Sequence, residues 1–374
     1  MGSAHAEPRF VSGCATAEGT ARYRDRFRAR LPGHFRQAAG VWLSSIGLGT
    51  YLGEPNERYD QLYDEAASLA LGSGINVIDT AVNYRHQRSE QSIGRALRGL
   101  IQQGTLERDQ VFLATKGGFL SFEGNAPRDP ASYLYERVIR SGLAKPEDVA
   151  ADCHVITPAY LKDQIEVSRK NLGVETIDLY YVHNPETQLT RRSREEFYAR
   201  LRDAFAALEA AVAEGKIRSY GVATWNAFRV AGEEFIALPD VIRAAREAGG
   251  AGHHFRAVQL PFNLAMPEAL VKPTQPAAGG AAPLLRAASE LGLMVFASAT
   301  LLQGQLSSDL PAEITRHFHG LATDAERAIQ FVRSTPGITC ALVGMSSAAH
   351  VRTNLGAAAV PPLSIEEYQA VFSG

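Results

Sequence analysis

The chain has 374 residues, with 38 Lys+Arg against 40 Asp+Glu and a sequence pI near 6.6, so it has no basic excess to grip a phosphate backbone and nucleic-acid binding is not expected. No run of about 18 apolar residues occurs and the opening MGSAHAEPRF has no apolar signal core, so neither a membrane span nor export is expected. Cys14, Cys153 and Cys340 lie far apart, with no CxxC or HExxH, so neither a metal centre nor a disulfide framework is expected, and a reducing, cytoplasmic setting suits them.

Residues 1–41 read as an irregular extension. Within it Arg22, Arg24, Arg26, Arg28, Arg30 and Arg36 alternate, up to Arg30, with Tyr23, Asp25, Phe27 and Ala29. That period of two predicts an edge strand or hairpin with a solvated basic face. From residue 42 one domain is expected to the end of the chain. It opens with a strand in 43–53 (LSSIGLGTYLG) and a helix at 58–71. Strand–helix units then follow at 75–79 with 89–102, 111–116 with 157–172, 177–183 with 194–214, and 217–223 with 227–248. Three more pair 257–260 with 281–291, 293–297 with 324–333, and 338–343 with 348–355. Thr157 reads as a helix N-cap with Pro158 at the first helical position.

Continuous apolar strands alternating with helices predict a parallel sheet covered by helices, and eight such units fit a closed (β/α)₈ TIM barrel. An open doubly wound sheet would want a G-x-G-x-x-G turn for a dinucleotide, and none is present. Segments 117–156 and 262–280 are longer than ordinary connections and would sit as long loops on the C-terminal rim.

In a barrel the site lies where strands end. The second strand ends in Asp79, with Tyr84 in the loop beyond, the third in Lys116 and the fourth in His183; Gln259 in the sixth is a buried-amide candidate. Each has an ordinary structural reading when taken singly. Together they gather a phenol, an ammonium, a carboxylate and an imidazole around one spot. A free tyrosine titrates near about 10, and a neighbouring cation stabilises its phenolate. Lys116 would do that, with Asp79 holding Lys116 and His183 orienting a carbonyl. These groups can give a proton to an oxygen but hold no reductant, so reduction would need a nicotinamide hydride.

The motifs Gly47-Leu48-Gly49-Thr50, Asp79-Thr80-Ala81 with Tyr84, Ser89-Glu90 with Ile93-Gly94, Thr115-Lys116, and Ile177-Asp178-Leu179-Tyr180 leading to His183 occur in one order. Lys216-Ile217-Arg218, Gly221-Val222, Gln259 and the stretch 344–354 follow them. In order and spacing this set resembles the aldo-keto reductase superfamily over about residues 42–356. The resemblance implies an oxidoreductase interconverting a small carbonyl (aldehyde, ketone or sugar) and an alcohol with NADP(H) or NAD(H). It implies the tetrad Asp79, Tyr84, Lys116 and His183, with Tyr84 as general acid/base. The cofactor would lie extended across the rim against Gly49, Thr50, Tyr51 and Asp79. It would continue along Thr224, Gln259, Ser298, Leu301, Gly304 and Leu306, and end at Gly344, Ser346, His350 and Asn354.

The chain departs from the family pattern at three places. Ala223-Thr224 stand where Ser-Asn usually meets the carboxamide. Ser298-Ala299-Thr300-Leu301 lacks the aromatic that stacks on the nicotinamide, unless Trp225 or Phe296 substitutes. Gly344 and His350 stand where NADP-preferring members carry Lys or Arg, with Arg352 the nearest fixed charge; Ser346 and Ser347 could contact a phosphate, or cap the last helix. An alternative reading is a cofactor-binding sensor or auxiliary subunit with little turnover, and a barrel of other chemistry, such as a lyase, ranks last. His253-His254 and His317-x-His319 read as solvated loop residues without a third ligand. Cys153-His154 forms no recognisable dyad, and Cys340 reads as core. Nothing in the sequence sets the oligomeric state or the substrate.

Overall fold

The computed structural model describes residues 10–372; residues 1–9 and 373–374, including most of the opening scanned for a signal, lie outside the described residues. The alternating arginines do not form a strand: Arg22, Arg24 and Arg26 lie on helix α1 (Ala17–Phe27), capped by Thr16, whose hydroxyl accepts from the Gly19 amide. Arg28 and Arg30 follow in a turn, and Arg36 lies in a hairpin strand. Thr20, Tyr23 and Phe27 make its buried face. Their helical spacing wins over the period-two arginines because only the apolar positions are driven to burial. Arg22 pairs with Glu107 and Asp109, and the Arg24 guanidinium lies 4.1 Å over the Trp42 ring.

A hairpin follows, β1 (Phe35–Ala38) and β2 (Val41–Ser44), turning at Ala39 and Gly40, both left-handed at φ 46° and 79°. The single strand expected in 43–53 therefore splits. Ser45 breaks it, donating its amide to the His34 carbonyl at 2.7 Å, and the first barrel strand is β3 (Ile46–Gly49). Val41 and Leu43 of the hairpin pack with Val77, Phe112, Leu179, Met294 and Phe296, closing the barrel floor.

The chain continues as α2 (Glu57–Ser73), β4 (Val77–Asp79), α3 (Arg88–Gln102), β5 (Phe112–Gly117), α4 (Pro130–Leu134), α5 (Pro158–Leu172), β6 (Ile177–His183), α6 (Arg194–Ala213) and β7 (Ile217–Ala223). Thr157 caps α5 as expected, accepting from the Tyr160 amide. Then come α7 (Leu238–Gly249), β8 (Phe255–Pro261), α8 (Glu268–Val271), the β9 (Gln275–Ala277) and β10 (Gly280–Ala282) hairpin, α9 (Leu284–Glu290) and β11 (Met294–Ser298). The remainder is α10 (Ala312–Thr315), α11 (Asp324–Ser334), β12 (Cys340–Gly344), α12 (Ala348–Leu355) and α13 (Ile365–Ala370).

Strands β3 to β8, then β11 and β12, pair in parallel and close into an eight-stranded barrel. One apolar cluster fills its interior and a larger one lies between strands and helices. Gly94 lets α3 approach α5: a Cβ there would stand 2.4 Å from the Asn171 carbonyl oxygen. Among the described residues no helix is long and apolar enough to cross a membrane.

Two expected helices are shorter than their patterns. Residues 224–237 form a loop, and α7 begins only at Leu238. Gln275 fastens that loop: it accepts from the Leu238 amide at 2.7 Å and donates to the Phe228 and Ile236 carbonyls. Pro283 has no amide to continue a helix backwards, so α9 starts after it and 275–282 pairs as a hairpin. The long rim segment 117–156 carries its own small core of Val138, Ala144, Val149 and Val155, packed against Tyr160 of α5.

Candidate active site

The strand register gathers the expected residues at one end of the barrel. Gly344 pairs with Gly49 and Gly49 with Asp79; around the other side His183 pairs with Ala223 and Ala223 with Gln259. These ends floor a cavity of about 860 Å³ that runs along the rim.

At its centre the Lys116 ammonium donates to Asp79 Oδ2 at 2.6 Å and to the Thr80 carbonyl at 2.9 Å. Gln259 Nε2 donates to the other Asp79 oxygen at 2.7 Å, so both carboxylate oxygens are engaged. Lys116 is 1% exposed and does not line the cavity; its Nζ lies 4.8 Å from the Tyr84 ring centroid. Burial alone would lower its pKa, but Asp79 and Tyr84 outweigh that and raise it, so it stays cationic. Tyr84 lines the cavity. Burial raises its pKa, Lys116 pulls it back and Asp79 pushes it up, so the phenol is protonated at neutral pH. Tyr51 covers it edge-on, with ring centroids 5.1 Å apart.

His183 faces Tyr84 at 5.8 Å and Phe119 at 5.0 Å, ring centroid to ring centroid. Burial, the Lys116 charge and His154 drive its pKa well below the usual imidazole value, so it is neutral. Its Nδ1 is buried without a partner, as are Asn83 Oδ1 and Thr224 Oγ1, and all three residues line the cavity. Buried polar atoms without partners are costly in a finished fold, and a ligand can satisfy them.

Of the residues expected to hold a cofactor, Gly49, Thr50, Tyr51, Asp79, Thr224, Gln259, Ser298, Leu301 and Gly304 line the cavity. Gly344, Ser346, His350 and Asn354 line its far end. Leu306 does not: its amide turns back to the Leu301 carbonyl at 3.1 Å, and Gln303 and Ser307 line the cavity instead. Phe296 is 1% exposed inside the barrel against Phe112, so it is no stacking ring, whereas Trp225 lines the cavity and is 43% exposed. Ser347 is a helix cap, accepting from the His350 amide, and Arg352 lies outside the lining. His254 is not merely solvated: its Nδ1 meets Glu209 at 2.7 Å.

Sequence reasoning missed the layer behind His183. His154 is fully buried, and its Nδ1 faces the Gln188 amide nitrogen at 2.9 Å. Gln188 donates there, so the His154 Nε2–H donates to the His183 carbonyl at 2.7 Å. Phe119 packs edge-on against both imidazoles. No local signal marks these residues, because the rim segment brings them in only on folding.

Glu186 is the other missed group. Its Oε1 accepts from the Trp225 amide at 2.9 Å, while its Oε2 is buried without a partner. Burial lifts its carboxyl from 4.5 to about 7, against the opposing pull of the Trp225 N–H. A raised carboxyl stabilises the fold while protonated. Its contribution is complete below about pH 4.5 and is lost as pH rises through about 7, a difference of about 3 kcal/mol. Unfolding free energies from urea titrations should therefore show the native protein losing about that amount relative to Glu186→Gln as pH rises from about 4.5 to about 8.

Comparison with known proteins bears on the same elements. Residues 45–234 match the model of the aldo/keto reductase family. An NADH-specific methylglyoxal reductase of Escherichia coli K12 is 29% identical over 192 residues, 50% of each chain. A D-threo-aldose 1-dehydrogenase of a Pseudomonas species is 29% identical over 189 residues, 50% of this chain and 51% of the relative. The chain thus spans about half the length of these curated relatives. Among solved structures, an aldo/keto reductase of Klebsiella pneumoniae in complex with NADP and acetate has a TM-score of 0.59 at 24% identity, over 91% of this chain and 94% of the other. The holo form of an aldo-keto reductase of Bacillus halodurans has the same TM-score at 22% identity, over 91% and 95%. At those identities the likeness is one of fold. Since the family model spans half of the chain and its match runs through β4, β5 and β6, the strands that carry Asp79, Lys116 and His183, this chain belongs to the aldo/keto reductase family.

Proposed function

We propose that the protein reversibly reduces a small carbonyl compound to an alcohol with a nicotinamide dinucleotide, using Tyr84 as the general acid and base. The observation that carries this reading is the Lys116–Asp79 pair buried against the ring of Tyr84, opposite a neutral His183. The cavity suits an extended dinucleotide. Thr224 offers a free hydroxyl where a carboxamide would lie, Trp225 offers a ring wall, and Ser298, Ser346 and Asn354 offer polar contacts along the length. A bound reduced nicotinamide would supply the hydride.

The chain's own residues do the rest. A ring N–H of neutral His183 holds the carbonyl oxygen and polarises it. Tyr84 then gives its phenolic proton to that oxygen as the alcohol forms. Lys116 stabilises the phenolate left behind, and Asp79, held by Gln259, keeps the ammonium in place. Tyr51, Phe119 and Trp225 wall the cavity with rings and restrict water.

No Lys or Arg lines the cavity among the described residues. A 2′-phosphate would therefore lack the charge-assisted hydrogen bonds that are worth about 1.5–3 kcal/mol. NADH should bind about tenfold or more tightly than NADPH, read by fluorescence titration of the purified protein. Tighter NADPH binding would mean that Arg352 or His350 swings in to meet the phosphate. The titration, followed by a carbonyl panel under multiple turnover, tests the proposal. Failure to bind either dinucleotide would overturn it, and binding without turnover would favour the sensor reading.

A further inference from the structure

Tyr84 is followed by three consecutive non-glycine residues in the left-handed region, Arg85, His86 and Gln87, at φ 48°, 56° and 72°. Such a run is strained and persists only where its surroundings hold it. Arg85 within the run and Arg88 just after it both meet Asp60, a residue of α2 that does not line the cavity, while Gln87 is held separately by Asn171 Nδ2 at 3.2 Å. Arg85 Nη2 and Arg88 Nη1 each donate to a different Asp60 oxygen at 2.6 Å. The Arg85 side chain is 1% exposed, so its charge depends on that partner.

The same two arginines grip the neighbouring loops. Arg85 Nε donates to the Glu54 carbonyl at 3.0 Å and Nη2 to the Asn56 carbonyl at 3.3 Å, in the loop that carries Tyr51 and Leu52. Arg88 Nε donates to the Gly124 carbonyl at 2.7 Å, and the Gly124 amide returns to the His86 carbonyl at 2.9 Å. Gly124 belongs to the rim segment that carries Phe119.

We propose that Asp60 is a positioning residue, the shared anchor through which Arg85 and Arg88 set three cavity-forming loops, 50–56, 83–88 and 119–125, in mutual register around Tyr84. Two arms test this. The first is hydrogen exchange on the free protein, which does not depend on the enzyme reading proposed above. In Asp60→Asn, amides of all three loops should exchange faster together, by about tenfold or more, while those of β6 and α6 keep their protection; Asp60→Glu should restore much of the protection. Acceleration confined to 83–88, or none, would overturn the proposal.

The second arm is kinetic. Asp60→Asn should lower kcat/KM by about a hundredfold through misplacement of Tyr84. Arg88→Ala, at a part-exposed residue that tolerates loss better, should raise KM for the carbonyl, speed exchange in 119–125 and leave dinucleotide affinity unchanged. If Asp60→Asn does not fold, Arg88→Ala decides: unchanged KM and unchanged exchange in 119–125 would overturn the proposal. A protein that never turns over but whose loops respond together would leave the anchor standing and remove the enzyme reading.

Discussion

Replacing Tyr84 with Phe should lower kcat for carbonyl reduction about a thousandfold while changing dinucleotide affinity by less than about twofold. The phenol is protonated at neutral pH and backed by the Lys116 cation. Burial and Asp79 keep it protonated, and Lys116 makes the loss of its proton tolerable. Phe keeps the ring against Tyr51 and the Lys116 ammonium, so packing should survive and the thermal midpoint should move little. Stopped-flow hydride transfer and a binding titration together separate the two effects. The pH dependence adds an independent check. Because the Tyr84 pKa is raised above 10, the proton donor is present throughout the neutral range and reduction should fall only at alkaline pH. His183 is driven well below 6.5, so no loss should appear as pH falls to about 6. A Tyr84→Phe protein with native turnover would remove the assignment, whatever becomes of the fold.

The barrel was legible because parallel strands buried on both faces read as uninterrupted apolar runs. IDLYYVH was bounded to the residue as β6, and Ile217–Ala223 likewise as β7. The four polar residues that end or follow the central strands stood out against those runs for the same reason. What misled was periodicity without burial. The arginines at 22–30 alternate like a strand, yet Thr20, Tyr23 and Phe27 at helical spacing carry the burial, and these were the better signal. Residues 227–236 look helical, but Phe228 and Ile236 are buried by a loop that Gln275 fastens from 47 and 39 residues downstream. No local pattern contains that bond.

The supporting layer was illegible for a related reason. His154, Gln188, Glu186 and Asp60 act through hydrogen bonds to backbone groups or to charges that come near only when the barrel closes. The family match ends at residue 234, and two of the three departures from the family pattern, at Ser298 and at Gly344 with His350, lie beyond it. The rim after residue 234 is thus the part that the family model does not cover, and there the absence of Lys and Arg from the cavity wall, among the described residues, has to be read from the fold itself.

Lys116→Met should both unseat the fold and remove turnover, and a second substitution should separate the two losses. Met fills much of the space of the lysine stem, but it leaves Asp79 Oδ2 in a buried site without the ammonium that bonds it at 2.6 Å. Breaking one side of a buried ion pair costs about 3–5 kcal/mol, because the remaining charge is uncompensated. Changing Asp79 to Asn as well removes that charge, while its oxygen can still accept from Gln259. The double variant Asp79→Asn/Lys116→Met should therefore recover most of the lost stability, giving a coupling of about 2–3 kcal/mol in a urea double-mutant cycle. Turnover should stay down by at least about a hundredfold, because no cation then stabilises the Tyr84 phenolate. If the double variant regained activity along with stability, Lys116 would be a structural residue and the phenolate argument would fail. If it were no more stable than Lys116→Met alone, the pair would not be the coupled unit that the geometry describes.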